Sequence, residues 1–91
     1  MKTDSRQMLY EAVLTLKSAE ECKAFFTDLC SVTEVKAMAQ RLEVAKMLSE
    51  KQVYNTIVDE TGASSATVSR VNRSLNHGAG GYQTVLRRLG D

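Results

Sequence analysis

The most informative stretch of the sequence covers residues 54–71 and reads YNTIVDETGASSATVSRV. Gly62 stands near its middle, where a tight turn between two short helices needs a residue that accepts positive φ. Ile57 before the turn, and Val68 and Val71 after it, are spaced to lock the two helices at their crossing. The pattern predicts a helix-turn-helix over residues 53–75. An ordinary αα-hairpin, which also uses a glycine turn and apolar spacing, is the alternative.

The outward side of the second helix suits a helix that enters the major groove of DNA with its N-terminal end first. Its side chains are small or hydrogen-bonding near the start and basic further along. One departure from the usual pattern is Val58, four residues before the glycine, where alanine or glycine is common. The candidate DNA-binding residues are Tyr54, Asn55, Ser64, Ser65, Ala66, Ser69, Arg70 and Arg73.

Apolar residues at helical spacing predict further helices on both sides of this stretch. Ser18 with Glu21, and Ser31 with Glu34, have the spacing of capping boxes and mark two helix starts. The sequence contains no proline and only 5% aromatic residues, which favours an all-α fold over a β-sandwich or barrel. We expect a single domain over residues 1–91. It would hold dimerisation helices in residues 1–49, the helix-turn-helix in residues 53–75 and a C-terminal helix in residues 81–89.

Self-association is expected because the chain is small. A protein of 91 residues buries only about 60–65% of the surface that its unfolded chain exposes, so a lone protomer would be marginally stable. The third predicted helix, which ends near Leu48, has apolar residues on more than one face. A helix of this kind is expected at the centre of a bundle or a dimer.

Charge is distributed unevenly along the chain. The net charge is only +1, but residues 1–60 hold eight Lys/Arg against ten Asp/Glu, whereas residues 61–91 hold four Arg against one Asp. No acidic side chain occurs between Thr61 and Gly90. This asymmetry favours a polyanionic partner for the C-terminal part of the chain.

Several other classes of protein do not fit the sequence. Cys22 and Cys30 are eight residues apart without ligand spacing, and the single histidine, His77, lies beside a glycine-rich turn. We therefore expect no metal site, no cofactor and no enzymatic activity. No signal peptide or membrane span is recognisable, and we expect a cytoplasmic protein.

The sequence resembles the Trp repressor family, and within it the YerC/YecD-like branch. The resemblance covers about residues 8–89 and rests on FFTDLC at 25–30, AQRLEVA at 39–45, TGASSATVSRV at 61–71 and the block 78–86. It implies a six-helix protomer in an intertwined homodimer. It also implies two recognition helices about one DNA turn apart that read a pseudo-palindromic operator, as a repressor or other regulator.

The resemblance also implies an effector pocket. In tryptophan-binding members, two arginines and nearby hydroxyls hold the ligand, and they match Arg41 and Arg70 here, with Ser31, Thr67 and Ser74 as the hydroxyls. Val71 aligns where those members carry glycine, and its branched side chain would fill part of the space for an indole ring. We therefore expect any effector to differ from tryptophan.

Two other roles stay open for the arginines: Arg70 could bind a DNA phosphate, and Arg41 could pair with Glu43 or Glu60. The competing function is that of a helical protein-interaction module that has this fold but does not bind DNA. The stretch without acidic residues after residue 60 favours DNA.

Overall fold

The computed structural model of the protein describes residues 4–90, which form six α-helices and, within that range, no strand. The all-α fold and the six helices predicted from the sequence are confirmed. The helices are α1 (Ser5–Leu14), α2 (Ala19–Leu29), α3 (Val32–Ser49), α4 (Tyr54–Thr61), α5 (Ser65–His77) and α6 (Gly81–Gly90). No helix within residues 4–90 is both long enough and apolar enough to cross a bilayer.

The chain divides into two compact units, and the first comprises the residues up to Val35. Side chains cap its helices: Asp4 accepts from the Arg6 amide and Ser18 from the Glu21 amide. No residue of its described part, residues 4–35, is buried in the single chain. Large apolar side chains of this unit are left exposed, and Met8 on α1 is 61% exposed.

The second unit, which begins at Lys36, contains the buried core of the described chain. The core joins the C-terminal half of α3 to α4 and α5, and Tyr82 and Leu86 of α6 pack against it. Further towards its start, α3 leaves apolar residues such as Met38 and Leu42 exposed, in keeping with a helix that has more than one apolar face. The core residues are Val44, Ala45, Met47, Leu48, Ile57, Ala63, Val68, Val71 and Leu75.

The turn between α4 and α5 follows the prediction. Gly62 ends α4 in the left-handed conformation, with φ +73°, and its amide donates to the Val58 carbonyl at 3.0 Å. Ser64 then caps α5 by accepting from the Thr67 amide at 3.1 Å. The helix-turn-helix therefore spans residues 54–77, one residue later at its start and two residues later at its end than predicted.

Candidate nucleic-acid interface

The two sides of α5 differ in burial as the sequence pattern predicts. Val68, Val71 and Leu75 face the core and are buried. The other side of the helix carries four exposed residues: Ser65, Ala66, Ser69 and Arg73. The 3.6-residue period of the helix thus fixes the apolar residues inward and leaves a polar, partly basic surface outward.

The N-terminal end of α5 is open to an anion. Its first turn has no acidic residue, and the partial positive charge of a helix N-terminus favours negative groups. Ser64 is exposed, but its hydroxyl also has a structural task, because Oγ accepts from the Thr67 amide and donates to Thr67 Oγ1 at 3.1 Å. Any contact of Ser64 with a ligand would therefore be made from a fixed position at the helix end.

The start of α4 lies on the surface as well. Tyr54 and Asn55, the first two residues of α4, are exposed. The preceding Val53 offers no side-chain cap to the amides of the first turn. The first amides of an α-helix have no partner within the helix, so those of α4 remain available to an external acceptor such as a phosphate oxygen.

The arginines of α5 have no acidic partner among the residues that the structure describes. Arg70 and Arg73 are exposed, and the sole ion pair formed between residues 4 and 90 joins Arg6 to Asp4 at the other end of the chain. Because the nearest acidic residues in sequence are Asp59 and Glu60 before the turn, the surface of α5 keeps its positive charge unneutralised.

The residues predicted to hold an effector have different environments. On α5, Thr67 is half-buried, Ser74 is exposed and Val71 is only 2% exposed, within the core. On α3, Arg41 is half-buried and forms no ion pair with Glu43 or Glu60, so that alternative is wrong for the single chain. The valine side chain at position 71 thus occupies volume in the core.

Ser31 belongs to the first unit and is part of a helix cap. Its Oγ accepts from the Glu34 amide at 3.1 Å, and the Glu34 carboxylate accepts from the Ser31 amide at 2.8 Å. The Ser31 backbone amide, and after it the Ser31 side chain, lower the pKa of Glu34, because hydrogen bonding to the carboxylate stabilises its charged form. The capping box predicted from the sequence is confirmed, and it starts α3.

Two glutamines next to the helix-turn-helix are not singled out by the sequence. Gln40 Nε2 donates to the Thr61 carbonyl at 3.1 Å, and Gln83 Nε2 donates to the Leu75 carbonyl at 2.8 Å. The first contact spans 21 residues of sequence, so no local spacing announces it. The signal available in the sequence is only that each acceptor lies near the C-terminal end of a helix, where carbonyls lack helical partners.

The cysteines and acidic residues of the described chain form neither a metal cluster nor a disulfide. Within residues 4–90, no three histidine, cysteine, aspartate or glutamate side chains lie close enough together to hold a metal ion. Cys22 and Cys30 are both half-buried and unbonded. Half-buried cysteines on the apolar side of a helix are ordinary packing residues.

Known proteins are similar to this chain in sequence and in fold. The chain is 52% identical over 81 residues to the uncharacterized protein YerC of Bacillus subtilis (strain 168), a match that covers 89% of this chain and 78% of YerC. A crystal structure of a candidate Trp repressor from Staphylococcus aureus superposes with a TM-score of 0.92 at 46% identity, and the match covers 98% of this chain and 89% of that one.

A second solved structure gives the same result. It is that of a TrpR-like protein from Eubacterium eligens ATCC 27750, with a TM-score of 0.92 at 50% identity over 98% of this chain and 92% of that one. The family model described as Trp repressor protein matches residues 4–90. With the helix-turn-helix and the family's fold both present, the chain belongs to the Trp repressor family.

Proposed function

We propose that the protein is a sequence-specific DNA-binding transcription regulator that acts as a homodimeric repressor on a pseudo-palindromic operator. The observation that carries the proposal is the surface of α5. An exposed, capped helix start stands beside two exposed arginines that have no acidic partner in the described chain. Membership of the Trp repressor family supports the same conclusion.

The side chains of this surface divide into two roles. Ser65, Ala66 and Ser69 lie on the first two turns of α5, where a helix that enters a groove tip first meets the edges of the bases. Arg70 and Arg73 lie further along the helix and are placed to contact phosphates. Tyr54 and Asn55, at the start of the neighbouring helix α4, would add further contacts to the DNA backbone.

The proposal is tested by selecting bound fragments from a fragmented bacterial genome and titrating a recovered fragment against a mixed-sequence duplex over a salt series. We expect Arg73→Ala and Arg70→Ala to weaken binding to both duplexes. Each should also reduce the salt slope by about one unit for every DNA phosphate that the arginine neutralises in the wild type. Lys17→Ala is the matched control, because Lys17 is exposed and lies outside the helix-turn-helix. It should leave the affinity and the slope unchanged.

Substitutions at Ser65, Ala66 and Ser69 should instead change sequence preference, by about 1–3 kcal/mol for each base contact. Equal losses on the recovered and the mixed-sequence duplex for all five variants would show that the two roles are wrongly assigned. A wild-type protein that binds neither duplex at low salt would favour the protein-interaction module instead.

The dimer is proposed from the first unit of the chain. The helices of this unit, α1 and α2, bury no residue in the single chain and leave Met8, Leu14 and other large apolar side chains exposed. A surface of that kind is normally covered by a partner. We propose that a second copy of the chain covers it. The spacing of about one DNA turn between the two recognition helices is what the family resemblance implies. Because the partner is DNA, we assign the regulator to the cytoplasm.

Tryptophan is not the proposed effector. The family resemblance assigns charges and hydroxyls of such a site to Arg41, Arg70, Thr67 and Ser74, but the core position of Val71 leaves an indole ring without the space that it would need. We expect calorimetric titration of the protein with L-tryptophan to give no binding heat, and we expect its affinity for the recovered fragment to be unchanged by the amino acid. A tryptophan-dependent gain in that affinity would contradict this. Repeating the fragment selection with and without a metabolite extract tests for a different effector.

A further inference from the structure

The α4–α5 pair is attached to α3 by a side-chain hydrogen bond in addition to the apolar core. Gln40 Nε2 donates to the Thr61 carbonyl at 3.1 Å, and the contact is partly shielded from water. Gln40 lies one helical turn before Val44 and two before Leu48, both of which are buried in the core. The amide therefore projects from the same face of α3 that packs against the helix-turn-helix.

The acceptor is the last residue of α4, next to the turn. As the residue at the helix end, Thr61 has a carbonyl without a partner inside α4. Its hydroxyl is used separately, since Oγ1 donates to the Ile57 carbonyl at 2.7 Å and accepts from the Ala63 amide at 3.1 Å. Thr61 is thus held by its own helix, by the turn and by α3, and Gly62 follows it directly.

We infer that Gln40 is a positioning residue that sets the orientation of the α4–α5 pair on α3 and so aims α5 at DNA without a bound effector. The consequence for DNA recognition rests on the proposed function. Apolar contacts are non-directional and restrict the angle between the pair and α3 only weakly. A hydrogen bond to a fixed carbonyl has a narrow range of distance and angle, so it restricts that angle more. Losing that bond would let α5 adopt several angles, and base contacts depend on one.

Gln83 offers an internal control of the same chemistry. Its Nε2 donates to the Leu75 carbonyl at 2.8 Å, again at a helix C-terminal end and again partly buried, but it joins α5 to α6. Removing either amide costs one side-chain-to-backbone hydrogen bond of similar geometry. Only the Gln40 bond connects the helix-turn-helix to α3, so only its loss should alter the angle between them.

The test compares Gln40→Met with Gln83→Met in the full chain. Binding is measured on a duplex recovered by genomic selection and on a mixed-sequence duplex at the same salt. We expect Gln40→Met to lower the ratio of the two affinities by about fivefold, the factor that one net hydrogen bond is typically worth, with the mixed-sequence affinity unchanged. Gln83→Met should lower thermal stability to a similar extent and change the ratio less than Gln40→Met does.

Residual dipolar couplings provide a readout that does not depend on DNA. In Gln40→Met, the couplings of α4 and α5 should no longer fit the same orientation relative to residues 36–49 as in the wild type, and in Gln83→Met they should. Gln40→Glu, which keeps the shape but replaces the amide donor by a carboxylate, serves as a second variant should the methionine variant fold poorly. Unchanged couplings in both Gln40 variants would overturn the inference.

Failure of the proposed function and failure of the positioning role would give different results. Wild-type protein that binds neither duplex would overturn the proposed function, and the orientation of α4–α5 in the Gln40 variants would still decide the positioning role. Wild-type protein that discriminates between the duplexes, with Gln40 variants that discriminate equally well, would overturn the positioning role alone.

Discussion

Ser31 and Glu34 exchange hydrogen bonds at the start of α3: the Glu34 amide donates to Ser31 Oγ at 3.1 Å and the Ser31 amide donates to Glu34 Oε1 at 2.8 Å. Two of the amides that α3 leaves without helical partners are satisfied by this exchange. The hydroxyl of Ser31 is thereby oriented as a cap. Its predicted part in an effector pocket stays a prediction.

The first prediction concerns the pH dependence of this cap. The pKa of Glu34 is lowered from its ordinary value of 4.5, first by its hydrogen bond with the Ser31 backbone and then by that with the Ser31 side chain. A carboxyl whose folded pKa is depressed stabilises the fold above the unfolded pKa, and that contribution is lost as the pH falls through the folded value. We expect NMR titration to place the Glu34 midpoint below 4.5. The helicity of α3 at its N-terminal turn should decrease below that midpoint.

Ser31→Ala should bring the Glu34 midpoint back towards the ordinary value, because the side-chain hydrogen bond is removed. A wild-type Glu34 midpoint at or above 4.5 would contradict the cap.

The second prediction concerns the backbone conformation of Gly62. Its φ of +73° costs a residue with a Cβ about 1 kcal/mol, although no atom beyond the two neighbouring residues lies within 4 Å of the added carbon. We expect Gly62→Ala to lower the free energy of unfolding by about 1 kcal/mol in urea titrations at fixed protomer concentration. Gly81→Ala is the control, because Gly81 also has open space but has no positive φ. If both variants lost equal stability, the backbone conformation would not be the cause.

The third prediction concerns Lys51, which follows the end of α3. It adopts a φ of +65° although it has a Cβ, and this backbone conformation is unfavourable for such a residue. Its amide donates to the Leu48 carbonyl at 3.0 Å, as in a helix C-cap. We expect Lys51→Gly to raise the free energy of unfolding by about 0.5–1 kcal/mol, and Lys51→Ala to leave it nearly unchanged. An alanine variant as stable as the glycine variant would show that the lysine side chain, and not its Cβ, was unfavourable.

Local patterns were sufficient to predict the helices, the turn and which side of α5 is buried. Ile57, Val68 and Val71 recur at helical spacing around Gly62, and the structure buries all three. Short-range periodicity carries this information because each residue's burial follows from its place on one helix. The exposure of Ser65 on the opposite side of α5 follows from the same period.

Contacts between distant segments could not be predicted in the same way. The Gln40–Thr61 hydrogen bond depends on the angle at which α3 meets α4, and no spacing in the sequence encodes that angle. The ion pair of Arg41 with Glu43 or Glu60, which the sequence left open as an alternative, does not form in the described chain. Charge and proximity in sequence permit several partners, and the exposed carboxylates are stable in water without one.

Val71 provides the fourth prediction. Its side chain is 2% exposed and packs in the core, so truncation removes buried methyl groups and leaves a cavity. We expect Val71→Gly to lower the free energy of unfolding by about 3 kcal/mol, from poorer packing and from the low helix propensity of glycine. Ser69→Gly, on the exposed side of the same helix, should lose only about 0.5 kcal/mol. Equal losses in urea titrations would contradict the core position of Val71.

The apolar surface of the first unit gives the last prediction. Met8 is 61% exposed on α1 in the single chain, and a charged residue there would cost a lone protomer little. In a dimer that covers this surface, the same charge would be desolvated without a partner and would cost several kcal/mol. We expect sedimentation equilibrium to give about twice the chain mass of 10.0 kDa for the wild type and a shift towards the single-chain mass for Met8→Glu.

Gln7→Glu adds the same charge one residue away, at an exposed polar position of α1, and should leave the dimer intact. A wild-type protein that sediments as a single chain at micromolar concentration would refute the dimer. Equal dissociation of the two variants would point to net charge as the cause and not to burial of Met8.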